Sequence, residues 1–113
     1  QFLFDASPVI AWSERIRAAG IDLPVRVGLA GPARLQSLLR FALDCGVGPS
    51  LSVLQRRARD IRKLLLPVTP DDVIADLEAH RAAVPQTLIS GLHVFPFGGV
   101  ASCTDWLRKA APD

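Results

Sequence analysis

Three short apolar segments, separated by helical sequence, constrain the fold of this chain more than any other feature. They lie at residues 1–4, 25–29 and 88–95. Strands joined through helices are parallel, because a parallel connection needs a crossover long enough to return to the starting end of the sheet. The segments are continuously apolar rather than alternating, as expected for strands that are covered on both faces. The sequence therefore predicts an α/β fold with three parallel strands.

The first helix has clear start and stop signals. Ser7 and Pro8 predict an N-cap and a first-turn proline, and Gly20 ends the helix. The helical period places one apolar stripe on its buried face, formed by Val9, Trp12, Ile16 and Ala19.

Four further helices are predicted. One begins after Gly31-Pro32 and ends at Cys45-Gly46, with an apolar stripe formed by Leu35, Leu38, Leu39, Ala42 and Leu43. The next carries the stripe Leu51, Leu54, Ala58, Ile61 and Leu65. Thr69 as N-cap and Pro70 as first helical residue predict a helix that runs to about residue 84. A short final helix covers residues 100–110.

Length and composition limit the size and class of the protein. The chain has 113 residues, of which 50% are hydrophobic and 21% charged, with a net charge of +2. We expect one domain over residues 1–113, whereas a complete eight-stranded α/β barrel needs about 250 residues. The low charged fraction excludes disorder over most of the length, and the small net charge gives no reason to expect a nucleic-acid partner.

A long uncharged stretch is the one candidate for a membrane segment. Residues 82–104 carry no formal charge, but Pro85, Gly91, Pro96 and Gly98-Gly99 interrupt them. We interpret the stretch as a loop, a buried strand and a second loop, and we expect no membrane association.

The opening residues lack both Met and the basic region of a secretory signal. Because the sequence begins inside a predicted strand, we expect the chain to be part of a longer protein. Cys45 and Cys103 allow one disulfide, but nothing else indicates a secreted cysteine framework. A reduced, cytoplasmic protein is therefore expected.

Ligands of parallel α/β proteins bind beyond the C-terminal ends of the strands. The segments to inspect are residues 5–7, 28–32 and 96–102, which are rich in glycine and proline and contain Asp5, Ser7 and Ser102 as polar candidates. The turn Pro96-Phe97-Gly98-Gly99 matches neither a dinucleotide fingerprint nor a phosphate loop. Turn formation alone is the favoured interpretation of each segment.

The histidines, the basic residues and one phenylalanine allow more than one interpretation. We expect His93 to be a buried core histidine and His80 a surface residue, and no metal-ligand spacing is present. The basic residues at 56–63 are interrupted by Asp60 and favour a solvated helix face over an anion or nucleic-acid site. For Phe41, a core position and the edge of a cleft both remain open.

Five short motifs occur along the chain in a characteristic order. They are Gln1-Phe2-Leu3-Phe4-Asp5, Ala18-Ala19-Gly20-Ile21, Val27-Gly28-Leu29, Phe41-Ala42 with Cys45-Gly46-Val47, and Gly91-Leu92-His93-Val94-Phe95. In order and spacing they resemble the C-terminal portion of the methylenetetrahydrofolate reductases. The resemblance extends from Gln1 to about Trp106.

The resemblance implies a fold, a reaction and site residues. The family's catalytic domain is a (β/α)8 barrel that binds FAD and reduces methylenetetrahydrofolate to methyltetrahydrofolate with electrons from NADH or NADPH. By likeness, the three strands here are the sixth to eighth of a partial TIM barrel. Gln1 matches the glutamine that hydrogen-bonds folate, and Phe41 the aromatic residue that stacks on folate or nicotinamide. The family's FAD-binding residues and catalytic acids lie in earlier strands, so none is matched here.

One motif departs from the family. Where the reductases continue through Thr-Leu-Asn-Arg after the last strand, this chain has Pro96-Phe97-Gly98-Gly99. Phe97 replaces the leucine as an apolar contact to folate, while the Asn and Arg are missing. We expect a divergent branch that uses another electron donor or performs a related one-carbon step.

Two functions of other classes stay open on the residues alone. A three-stranded piece of a barrel leaves strand edges and an uncovered face that favour association, which suggests a non-enzymatic assembly module. We expect a homo-oligomer for the same reason. Anion or nucleic-acid binding through residues 56–63 is the weaker alternative.

Overall fold

The computed structural model describes residues 2–46, 48–60, 62 and 65–110. Three strands and five helices occur in this part of the chain, in the order β1 (Phe2–Leu3), α1 (Ser7–Ala18), β2 (Val25–Ala30), α2 (Leu35–Asp44), α3 (Gly48–Ala58), α4 (Asp71–Ala83), β3 (Ile89–Phe95) and α5 (Val100–Ala110). No helix among these residues has the length and apolarity that crossing a bilayer requires. The predicted α/β class is confirmed.

All three strands are parallel and lie in the order β1-β2-β3. Leu3 is paired with Leu29 on one side of β2, and Phe95 with Ala30 on the other. Because successive side chains of a strand point to opposite faces, Leu3 and Leu29 face one side of the sheet and Phe2 and Ala30 the other. The parallel connectivity predicted from the sequence is confirmed.

The first face of the sheet is covered by the two crossover helices. Val27 and Leu29 of β2 are buried in one cluster with Val73 and Leu77 of α4, and Val9 of α1 packs against it. Both helices therefore lie on the same side of the sheet, between consecutive strands in the sequence.

The second face is covered by α2 and α3 near the C-terminal ends of the strands. Phe2 and Ala30 are buried there with Leu38 of α2 and Leu54 of α3. An antiparallel bridge joins the residues before α2 to those before α4. The Ala33 N–H donates to the Val68 carbonyl at 3.1 Å, and the Val68 N–H donates to the Ala33 carbonyl at 2.8 Å.

The start of α1 differs from the prediction. Ala6, not Ser7, is the N-cap residue, and the Asp5 carboxylate accepts the Ser7 N–H at 2.9 Å. Trp12, placed on the buried stripe by its spacing, is 43% exposed, while Ser13 is fully buried. Ser13 is tolerated there because its hydroxyl donates to the Ile10 carbonyl at 2.8 Å.

The third apolar stripe was predicted to be longer than the helix is. The helix α3 ends at Ala58, and Leu65, the last residue of the stripe, is 87% exposed. Ile61 lies outside the described residues. The backbone N–H groups of Arg59 and Asp60 donate to the carbonyls of Arg56 and Arg57, three residues back, and close the last turn of the helix.

The start of α4 is one residue later than predicted. Pro70 is the N-cap residue, and the Thr69 hydroxyl donates to the Asp71 carboxylate instead of capping a backbone N–H. Asp71 also accepts the Trp106 indole N–H at 3.0 Å, so its side chain joins the start of α4 to α5.

The helix α2 offers a matched pair of leucines for testing the core. Leu38 has no exposed surface, whereas Leu43, predicted on the same stripe, is 64% exposed. We expect Leu38→Ala to lower the free energy of unfolding by about 2–5 kcal/mol through lost burial and a cavity, and Leu43→Ala to change it by no more than about 0.5 kcal/mol. Urea denaturation followed by circular dichroism measures both, and equal losses would contradict this packing.

Candidate functional site

The C-terminal ends of the strands form the end of the sheet where parallel α/β proteins bind ligands. A cleft of about 930 Å³ lies there. The loops after β2 and β3, the start of α2 and residues 65–67 line it. Two of the three segments singled out from the sequence therefore meet at one cleft.

All five phenylalanines of the chain gather beside this cleft. Phe97 is at the centre of the group: its ring centroid is 4.8 Å from that of Phe2, 4.5 Å from that of Phe41 and 5.7 Å from that of Phe95. Phe4 joins through Phe2 at 5.7 Å. We call these five residues the phenylalanine cluster.

The structure brings Phe41 and Phe97 into direct contact. Their rings stack with 25° between the ring planes, and both side chains are half-buried. At this separation a planar ligand does not fit between the two rings, so the pair offers a wall rather than a sandwich. Phe97 lines the cleft, and Phe41 packs behind it against the α2–α3 core. Gln1, the third predicted site residue, lies outside the described residues.

Gly98 allows Phe97 to take this position. A Cβ atom at Gly98 would lie 1.9 Å from the Pro32 carbonyl oxygen, so the loop after β3 packs directly on the loop after β2. The Gly31 N–H donates to the Phe95 carbonyl at 2.9 Å and continues the contact between the two chain segments. Only a residue without a side chain fits at position 98 in this arrangement.

The polar groups that line the cleft come from two helices. Arg34 immediately precedes α2, Gln36 and Ser37 belong to its first turn, and Ser102 lies in α5. Sequence reasoning selected Ser102 from this set but missed Arg34. A basic residue directly after the Gly31-Pro32 turn is the signal that would have identified it.

The other polar candidates have structural roles. Asp5 accepts the Ser7 N–H, as the turn interpretation of that segment implies. The Arg57 guanidinium lies 4.0 Å from the Asp72 carboxylate, and the backbone N–H of Arg62 donates to the Asp60 carboxylate. One basic side chain of the segment, that of Arg57, is therefore paired with an acidic residue of the chain.

Both histidine predictions are wrong. His93 is exposed, because it lies on the face of β3 beyond the part that α2 and α3 cover, where its ring contacts Phe95 at 4.5 Å. His80 is only 11% exposed; its Nε2 atom lies 2.9 Å from the Thr87 hydroxyl and 3.9 Å from Glu14 Oε1. It lies in the contact between α4 and α1, away from the cleft.

The part of the chain that the structure describes holds no group of three or more His, Cys, Asp or Glu side chains placed to bind a metal ion. Cys45 is exposed, Cys103 is buried, and both thiols are free.

The sequence matches no model of a known protein family.

Two glycines, one in β3 and one in the loop that follows it, test the contact between the loops after β2 and β3. We expect Gly98→Ala to lower the free energy of unfolding by about 1–3 kcal/mol, because the added methyl group meets the Pro32 backbone. The matched control is Gly91→Ala, whose Cβ would find its nearest neighbour at 3.8 Å and should cost less than about 1 kcal/mol. Thermal unfolding compares the two, and a Gly98→Ala protein as stable as the control would refute the close approach.

Proposed function

We propose that this chain supplies part of the folate-binding face of a flavin-dependent methylenetetrahydrofolate reductase. The observation that carries the proposal is the stacking of Phe41 on Phe97 at the C-terminal ends of the strands. The two residues come from separate parts of the chain, and the resemblance assigns both positions to the same ligand. Their contact makes one aromatic wall beside one cleft.

The wall has the chemistry that folate needs. The pterin and benzoyl rings of folate are flat, and an aromatic surface adds about 0.5–1.5 kcal/mol to the burial of such a ring. The ligand packs on the part of the Phe97 ring that faces the cleft, and Phe41 holds that ring in place from behind. In the proposal, Gln1 orients the pterin by a hydrogen bond.

The proposed architecture is part of a (β/α)8 barrel, with the three strands as the sixth to eighth. Sequential parallel order and crossover helices on one face are features of such a barrel, and both occur here. A cleft of about 580 Å³ lies beside β1 and is lined by Leu3, by Val25 and Val27 of β2 and by Trp12. In the proposal the preceding strand of the barrel occupies it.

A bound flavin, once reduced by the electron donor, would supply the hydride that reduces the methylene carbon of the folate. The resemblance matches none of these residues to FAD, and the cleft beside Phe97 is lined by a single charged residue, Arg34. The residues that line this cleft do not form a flavin site by themselves. In the proposal, the rest of the barrel holds the flavin.

The residues that follow β3 bear on the choice of electron donor. Gly98 and Gly99 stand where the family has the Asn and Arg of its Thr-Leu-Asn-Arg motif, and they offer no side-chain donor to NADH or NADPH. We propose a divergent branch that retains the folate wall and takes its electrons from another donor or performs a related one-carbon step.

An assembly module is the second candidate function. It is favoured by large apolar side chains that are mostly exposed, namely Leu23, Leu43, Leu65, Leu66 and Val100. Size-exclusion chromatography separates the two candidates: concentration-dependent association without folate binding supports the module, and a compact monomer that binds folate contradicts it.

Substitution of the wall tests the proposal on the chain itself. We expect Phe41→Leu to weaken binding of 5-methyltetrahydrofolate about two- to tenfold, because the Phe97 ring loses the stacked neighbour that holds it in place against the ligand. Leu43→Ala is the matched control on the same helix, since its exposed side chain lies away from the phenylalanine cluster. Isothermal titration calorimetry measures both. The proposal is contradicted if the unsubstituted chain does not bind folate or if both variants bind equally well.

A second experiment tests the barrel and the flavin. The protein expressed from its full reading frame is examined by intact mass and by flavin absorbance. A longer, yellow protein supports the proposal, and a colourless species of 113 residues contradicts it. Stoichiometric flavin binding and turnover by the 113-residue chain alone would also contradict it, because the flavin is assigned elsewhere.

A further inference from the structure

The cleft of about 580 Å³ beside β1 lies at an open edge of the sheet. β2 has six residues, and in the described part of the chain β1 pairs with two of them, Gly28 and Leu29. Val25, Arg26 and Val27, which precede this pair in β2, line the cleft. We call this cleft the edge groove. An extended segment in the edge groove would run alongside β2, in line with β1.

The main chain of β2 is oriented for pairing at this edge. The Val25 N–H donates to the carbonyl of Leu88, the residue before β3, at 2.8 Å. Successive residues of a strand direct their main-chain groups to opposite neighbours, so the Arg26 N–H is directed away from β3 and towards the edge groove. A segment placed there can accept this N–H and add to the sheet, as extended peptides do at exposed sheet edges.

Helices from both faces of the sheet border the edge groove. On the first face, Val9 and Trp12 of α1 line it, and Val9 packs in the same cluster as Val25 of β2. On the second face, Val53 of α3 lines it and packs against the core that α2 and α3 cover. Because alternate side chains of a strand point to opposite faces, a segment in the groove directs every second side chain to α1 and the others to α3.

The side of the groove on the second face has two positive charges. Arg26 lies four residues before Ala30 in β2 and therefore shares its face, and Arg56 belongs to α3. Both side chains are exposed, and neither guanidinium has a carboxylate within ion-pair distance in the described part of the chain. Asp5 also lines the groove, but its carboxylate accepts the Ser7 N–H. The two arginines are complementary to carboxylates of a bound segment.

We propose that the edge groove takes an extended segment that adds to β2 as a strand, with apolar side chains towards α1 and acidic side chains towards Arg26 and Arg56. The occupant is the strand that the proposed barrel places there. This assignment rests on the proposed function, whereas the alternation of apolar and acidic side chains follows from the residues that line the groove. Trp12, Val25 and Val27 select the apolar positions, and the two guanidinium groups select the acidic ones.

Synthetic peptides test the groove on the chain itself. The probe is a short peptide of alternating valine and glutamate, blocked at both ends, and the comparison peptide has lysine in place of glutamate. We expect only the glutamate peptide to bind, and Arg26→Ala or Arg56→Ala to weaken its binding about two- to fivefold, as for exposed ion pairs. Added salt weakens the binding as well. Arg15→Ala is the matched control, because Arg15 is an exposed arginine of α1 that does not line the groove.

Amide hydrogen exchange distinguishes strand addition from simple charge attraction. The exchange of the Arg26 N–H should slow when the glutamate peptide binds, and N-methylation of alternate peptide residues should abolish binding. Unchanged exchange at Arg26, or equal binding of the glutamate and lysine peptides, would overturn the proposal. A dimer that excludes the peptide and that Arg26→Ala dissociates would assign the groove to a second copy and overturn it too.

A parallel titration with 5-methyltetrahydrofolate separates this inference from the proposed function. If the chain binds folate but neither peptide, the strand site fails and the folate wall stands. If it binds the glutamate peptide but not folate, the strand site stands, and the assignment of its occupant to a barrel strand fails with the proposed function.

Discussion

The close contact between the loops after β2 and β3 is the constraint on which the candidate site depends. Gly98 lies against the Pro32 carbonyl with no space for a side chain. This contact lets the short turn after Phe95 bring Phe97 back over the second face of the sheet, where Phe2 and Phe41 meet its ring. The phenylalanine cluster therefore belongs to the core under α2 and α3, and one of its members, Phe97, also lines the cleft. In the proposed function, that side chain serves both packing and binding.

The strands and helices could be predicted from the sequence because local signals determine them. The apolar runs predicted the bounds of β2 and β3 to within one residue, and α5 has the bounds that were predicted. The errors came where tertiary contacts decide. Trp12 shares a helical period with buried residues, yet the face of α1 that meets the sheet is centred on Ser13, whose hydroxyl bonds within the helix. The helical period shows which residues share one face of a helix, but it does not show how that face is oriented towards the sheet.

The candidate site was predictable only in part, for a related reason. A resemblance named Phe41 and Phe97, but nothing in their spacing indicates that the rings stack on each other. His93 and His80 exchanged their expected environments, because burial depends on where α2 and α3 end and on how α1 meets α4. Arg34 was missed because a charged residue next to a turn has an ordinary structural explanation, and only the shape of the cleft gives it another.

The contact between α1 and α4 involves none of the residues that line the cleft. On the α1–α4 side, His80 and Glu14 lie in a contact where Glu14 Oε1 and Arg17 Nε are buried without hydrogen-bond partners. At the C-terminal ends of the strands, the turn Pro96-Phe97-Gly98-Gly99 offers no charged side chain, and its Gly98 permits the loops after β2 and β3 to touch. The positive charge beside the cleft comes from Arg34, on the loop after β2, and not from the residues that follow β3.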